Sequence, residues 1–69
     1  MNDYDIHIVY DNIDKIYIAE VRELSGCMAH GSTRQEALTN VEVVMSNWID
    51  IANENSWEIP NPKKAALAV

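Results

Sequence analysis

The chain has 69 residues, of which 11 are acidic and 5 are basic, giving a formal net charge of -6 at neutral pH. This length fits one domain, and a hydrophobic fraction of 48% is enough for a folded core, which argues against disorder. Nucleic-acid binding through phosphate neutralisation needs the opposite charge, so the composition predicts no direct DNA or RNA binding. A single cysteine excludes a disulfide framework.

Nothing in the sequence indicates a targeting or membrane segment. The N-terminus is acidic and no apolar run follows it, unlike a signal peptide. No window approaches the roughly 20 apolar residues that a membrane span requires. With one cysteine and no leader, we expect a cytoplasmic protein that makes no membrane contact.

The first 21 residues predict a β-hairpin. Residues 4–10 alternate between two faces, the period of a half-buried strand. Residues 11–15 are rich in Asp and Asn, which favour turns, and residues 16–21 form a second strand with apolar groups on both faces. A strand that is covered on both sides has this pattern.

A short third strand and a long helix follow. Gly26 and Gly31 bracket the strand at residues 27–30. Thr33 and Glu36 have the spacing of a capping box, with the Thr hydroxyl as the favoured helix cap. The apolar residues then repeat at steps of three and four, which predicts a helix of about 22 residues ending near residues 53–56. They are Ala37, Leu38, Val41, Val44, Met45, Trp48, Ile49 and Ala52.

A fourth strand is predicted at residues 57–59, ended by Pro60 and Pro62, with residues 63–69 as a tail. The predicted fold class is therefore α+β, in the order β-β-β-α-β, with one long helix on one face of a mostly antiparallel sheet. We expect a single domain over residues 1–69 with its core at about residues 4–62. Because the helix covers one face only, the other face or an unpaired edge strand is a candidate for self-association.

No chemistry of catalysis or metal binding is evident. Cys27 and His30 have a possible ligand spacing, but zinc usually takes four ligands and His7 is the only further histidine. Cys27 and His30 lie three residues apart on one short strand, so they point to opposite faces and cannot act as a nucleophile and base. The strand carboxylates form no inward cluster. We expect no enzyme activity, no metal and no cofactor.

Three tyrosines fall on the predicted hairpin, at Tyr4, Tyr10 and Tyr17. Tyrosine is enriched at interfaces, so these side chains are candidates for self-association. Packing between neighbouring strands of the same sheet is the alternative explanation. The sequence leaves both interpretations open.

Residues 24–40 read Leu-x-Gly-Cys-x-x-x-Gly-x-Thr-x-x-Glu-Ala-x-x-Asn. This order resembles the signature of HicB-like antitoxins, and the likeness extends over about Tyr4 to Pro62. The resemblance implies a partial ribonuclease H or double-stranded-RNA-binding-like shape, with Gly26, Gly31, Thr33 and Glu36 as structural residues. It also implies a partner, a small basic HicA-type toxin that cleaves messenger RNA with a histidine. The chain would neutralise that toxin by covering its RNA-binding and catalytic surface.

The chain departs from the family pattern in two places. Arg22 stands where a proline is common, and no C-terminal DNA-binding module follows Pro62, which predicts a single-domain member. By charge alone, four carboxylates of the hairpin and the following loop are candidates for contacting a basic toxin: Asp11, Asp14, Glu20 and Glu23. Two other functions stay open, an orphan interaction domain that forms a homodimer or tetramer and a degenerate nuclease-like enzyme.

Overall fold

The computed structural model describes residues 4–60. Its elements are β1 (Ile6–Asp11), β2 (Ile16–Val21), β3 (Met28–Gly31) and α1 (Arg34–Glu54). The strands form an antiparallel sheet in the order β1-β2-β3, and α1 packs on one face of it. The predicted α+β class is confirmed. The predicted tail at residues 63–69, and Pro62 before it, lie outside the described residues.

Strand alternation decides which side chains meet the helix. In β1 and β2 the pairs Ile8–Ala19 and Tyr10–Tyr17 stand opposite each other across the hairpin. Ala19 and Val21 of β2 are fully buried, whereas Ile8 is half-buried at the edge of the core. This is the period-two pattern that the sequence predicted for the hairpin.

The core lies between α1 and the inner part of the sheet. Val41 and Met45 of α1 pack with Val21, and the loop between β2 and β3 adds Leu24 and Cys27. Burying a side chain of this size contributes about 1.5–3 kcal/mol, so this cluster is the main source of stability. The helix contacts β3 and β2 far more than β1. As a result β1 is the least covered strand.

The helix ends in a turn that sends the chain back towards β1. Ser56 has a φ of 57°, and the Trp57 N–H donates to the Ala52 carbonyl over 2.8 Å. The Ser56 N–H donates to the Asn53 carbonyl over 3.3 Å. These two bonds form a Schellman motif, in which the left-handed position is usually glycine.

The predicted fourth strand at residues 57–59 is wrong. Residues 57–60 have no regular secondary structure, since the Trp57 N–H belongs to the helix cap and Pro60 has no N–H to donate. Instead the side-chain hydroxyl of Tyr4 donates to the Pro60 carbonyl. A side-chain contact thus fixes this segment near the start of β1. No helix formed by residues 4–60 has the length and apolar character needed to cross a membrane.

Candidate protein-binding surfaces

Gly26 and Gly31, the two glycines within residues 24–40, are needed for the path of the backbone. Gly26 has a φ of +77°, which a residue with a Cβ atom adopts only at a cost, although the space around it is open. Gly31 is different, because a Cβ atom there would lie 2.6 Å from the Ala37 nitrogen and 2.8 Å from the Glu36 carbonyl carbon. Gly31 therefore lets the end of β3 touch the first turn of α1.

Thr33 caps α1 as predicted, but the Glu36 carboxylate binds the N–H of Ser32, one residue before the cap N–H that a capping box uses. The Thr33 hydroxyl accepts from the Glu36 N–H over 3.0 Å, and the Glu36 carboxylate accepts from the Ser32 N–H. Thr33 is extended, with φ −131° and ψ 164°, as a residue at this position should be. The side chains of Thr33 and Glu36 both accept from backbone N–H groups that no helical carbonyl reaches. Thr33 and Glu36 thus fix where the helix starts.

Two further side chains of α1 donate hydrogen bonds to backbone carbonyls outside the helix. The Trp48 indole N–H donates to the Ser25 carbonyl over 2.9 Å, and the Asn40 amide donates to the His30 carbonyl over 2.8 Å. Sequence reasoning assigned Trp48 to the core and gave Asn40 no role. Asn40 is the last residue of the pattern at residues 24–40, but only the tertiary structure brings its amide to the outer edge of β3.

The three tyrosines lie on the helix-facing side of the hairpin. The rings of Tyr10 and Tyr17 are 5.0 Å apart and tilted, and the Arg34 guanidinium lies 4.9 Å from the centre of the Tyr17 ring. Tyr4 packs on the core and bonds Pro60. Cross-strand packing therefore accounts for Tyr17, whereas Tyr10 keeps 49% of its surface exposed at the edge of the sheet. Their role in self-association stays a prediction.

Asp11 and Asp14 lie at the tip of the hairpin. Asp11 Oδ1 accepts from the Ile13 N–H over 2.9 Å and from the Asp14 N–H over 3.2 Å. Lys15 closes the same loop with a φ of 57°. An aspartate that accepts from its own loop stabilises the turn. Asp11 therefore has a structural role, while Asp14 is exposed without such a bond among the described residues.

Glu20 and Glu23 lie at the opposite end of β2. Glu20 is on the face turned away from the helix, where it lies 3.8 Å from the Arg22 guanidinium. Glu23 is half-buried in the loop that follows. From Ile16 to Glu20 the strand advances roughly 13 Å. The four predicted partner-binding carboxylates therefore form two pairs at opposite ends of β2.

The sheet face turned away from α1 has an apolar centre. Val9 of β1 stands opposite Ile18, which stands opposite His30 of β3. Val9 is 57% exposed and Met28 is 51% exposed. We call these residues, with Ile16, the outer face of the sheet. The apolar residues on both sides of β2 predicted this face.

Cys27 and His30 point to opposite faces, as predicted. Cys27 is buried in the core, where desolvation raises the pKa of its thiol, so the neutral form is favoured. His30 is exposed on the outer face of the sheet. Within residues 4–60 there is no group of three His, Cys, Asp or Glu side chains close enough to share a metal ion, and no pocket is present.

Comparison with known proteins gives two similar sequences. The chain is 28% identical over 54 residues to a UPF0150 protein of Synechocystis. The aligned region makes up 78% of this chain and 74% of that protein. It is 29% identical over 66 residues to a UPF0150 protein of Thermoplasma acidophilum, covering 96% and 94%. No protein-family model matches the chain, and no solved structure matches it. This chain is thus similar, along most of its length, to UPF0150 proteins of a cyanobacterium and an archaeon.

Proposed function

We propose that this chain is an antitoxin-like binding module that neutralises a HicA-type ribonuclease by covering its RNA-binding and catalytic surface. The observation that carries the proposal is the signature run of residues 24–40. Its residues resemble HicB-like antitoxins, and in the fold they act together. Gly31 and Thr33 bring β3 onto the start of α1, and Asn40 fixes the edge of β3.

The charge of the chain supports a basic partner. A net charge of -6 on 69 residues attracts a cationic protein and repels RNA. The described surface also offers exposed carboxylates at both ends of the hairpin and along the helix, among them Asp14, Asp50 and Glu54. A protein that covers an RNA-binding surface needs this chemistry, since that surface is lined by Lys and Arg.

The proposal includes no catalysis. A ribonuclease of two-metal type holds several carboxylates around its metals. Here the carboxylates of the hairpin are spread over two ends of β2, and Asp11 is used by its own turn. The module would act by binding alone, in the compartment where the toxin meets messenger RNA, the cytoplasm.

The direct test is inhibition of RNA cleavage. A purified HicA-type ribonuclease, encoded beside this chain, is titrated with the chain while cleavage of a model messenger RNA is followed. We expect cleavage to stop near equal molar amounts. Full cleavage in the presence of excess folded chain, or the lack of any such neighbouring gene, would contradict the proposal.

A pair of double variants asks which carboxylates meet the partner. Asp14→Asn with Glu20→Gln, and Asp50→Asn with Glu54→Gln, each remove two negative charges from the surface, where Glu20 is half-buried and the other three are exposed. If the hairpin and β2 contact the toxin, the first pair should weaken binding by roughly tenfold at low salt and the second by much less, since only close charges interact strongly. Equal effects would indicate steering by net charge without a defined contact.

A second function is favoured by one specific observation. The outer edge of β1 has no main-chain partner among residues 4–60. An orphan homo-oligomeric interaction domain would use such an edge for assembly. Absence of a toxin gene together with a stable oligomer in solution would favour this alternative.

A further inference from the structure

The open edge of β1 is the starting observation. β1 lies at one end of the strand order and has six residues, with main-chain groups on its outer side that nothing described covers. α1 lies mainly over β2 and β3 and contacts β1 least, so the helix covers this edge less than the opposite one. An edge of this length readily pairs with another strand.

We propose that β1 pairs antiparallel with β1 of a second copy about a two-fold axis at Val9, giving one continuous six-stranded sheet in the dimer. In this arrangement Val9 faces Val9 of the second copy. Both copies then carry their helices on the same side of the joined sheet, because residues opposite each other in an antiparallel pair project to the same face.

The side chains of β1 are self-complementary in this register. His7 stands opposite Asp11 of the second copy, and Ile8 stands opposite Tyr10, and each pair occurs twice. His7 is exposed, and the two turn bonds of Asp11 both use Oδ1, so Oδ2 can accept from the histidine ring. Aromatic and β-branched side chains are favoured as cross-strand pairs. Ile8 and the exposed Tyr10 would thus cover each other on the helix side.

Neighbouring registers fit less well. A slip that centres the axis on Ile8 places Asp5 opposite Asp11, and like charges directly opposite each other are destabilising. A slip that centres the axis on Tyr10 places the apolar Val9 opposite Asp11. The register centred on Val9 avoids both mismatches.

The first experiment compares two lysine substitutions. Val9→Lys places two cations at the axis, whereas Val43→Lys changes a helix residue with the same exposure of 57%. By sedimentation, the parent chain should be a dimer, and Val9→Lys should raise its dissociation constant by roughly tenfold or more. Val43→Lys should leave it unchanged. Circular dichroism checks that both variants fold.

A second experiment does not depend on weakening the interface. Opposite residues in antiparallel strands have Cα atoms about 4.5–5.5 Å apart, within the range of a disulfide. Val9→Cys should therefore form a disulfide-linked dimer under mild oxidation. Met28→Cys, at a residue of similar exposure on β3, should not, and the buried Cys27 should leave the parent chain unlinked.

Three results would overturn the proposal. The parent chain could sediment as a monomer at its highest soluble concentration, or remain dimeric after Val9→Lys. Faster linkage through Met28→Cys than through Val9→Cys would instead place the contact at β3 or at the outer face of the sheet. None of these results depends on a toxin, so the inference stands or falls separately from the proposed function.

Discussion

The two edges of the sheet differ in how their main chain is covered. At β3, the Asn40 amide binds the His30 carbonyl, and Gly31 allows direct contact with the start of α1. At β1, no described main-chain group pairs with the outer side, and only Tyr4 ties the strand's start to Pro60. One edge is closed by the chain itself, while the other has no main-chain partner among the described residues. The difference means that uncontrolled strand pairing is blocked at β3, whereas β1 is the edge at which pairing with another strand can be tested.

Gly31→Ala should lower the stability of the protein most, because it acts on the contact between β3 and α1. The new Cβ atom would lie 2.6 Å from a backbone nitrogen, so β3 and α1 must move apart. We expect a loss of about 3 kcal/mol in the free energy of unfolding, or roughly 15 °C in the thermal midpoint. Gly26→Ala is the control. Its added Cβ meets open space, so only the positive φ costs energy, about 1 kcal/mol. Equal losses would show that the close approach at Gly31 is unimportant.

Asn40→Ala should expose the edge of β3 without disturbing the core. Removing the amide leaves the His30 carbonyl without this donor, a loss of about 1 kcal/mol that the better helix propensity of alanine partly offsets. Asn47→Ala, on an exposed turn of the same helix, gains the propensity and loses no bond recorded in the structure. In urea unfolding, the two variants should therefore differ by about 1 kcal/mol. Identical midpoints would mean that the Asn40 bond contributes nothing.

Ser56→Gly should have the smallest effect and the opposite sign. Ser56 holds a φ of 57° at the turn that directs residues 57–60 back towards Tyr4, which binds the Pro60 carbonyl. Glycine adopts this conformation without steric cost, so we expect a gain of about 0.7 kcal/mol. Asn55→Gly, at a φ of −98° with a side chain that donates to the Ile51 carbonyl, should destabilise instead. Thermal unfolding of both variants measures the difference. Destabilisation by Ser56→Gly would show that the serine side chain has a role of its own.

Local patterns in the sequence were sufficient to predict the main elements. The alternation of the hairpin, the Thr33 cap and the apolar stripe of α1 each depend on residues close in sequence, and each is present in the structure. The prediction of a fourth strand failed at residues 57–59. Their composition suits a strand, but the cap of α1 uses the Trp57 N–H, and a strand also needs a neighbour in the correct position.

The candidate surface was predictable only in part. Charge alone selected Asp11, Asp14, Glu20 and Glu23, yet the structure separates them into two pairs and gives Asp11 a role in its turn. The tyrosines were left between packing and self-association, and the fold packs Tyr17 while leaving Tyr10 at an edge. Which carboxylates share a surface depends on strand register, which composition does not contain.

The sequence by itself determined the three strands, the helix with its start, and the net negative charge, because these follow from neighbouring residues and summed charge. Only the tertiary structure decided which edge is closed. That outcome depends on where α1 crosses the sheet, which brings Asn40 to the His30 carbonyl ten residues earlier and leaves β1 the least covered strand. The position of a packed helix is set by the combined contacts of the whole core, and no short stretch of the chain specifies it.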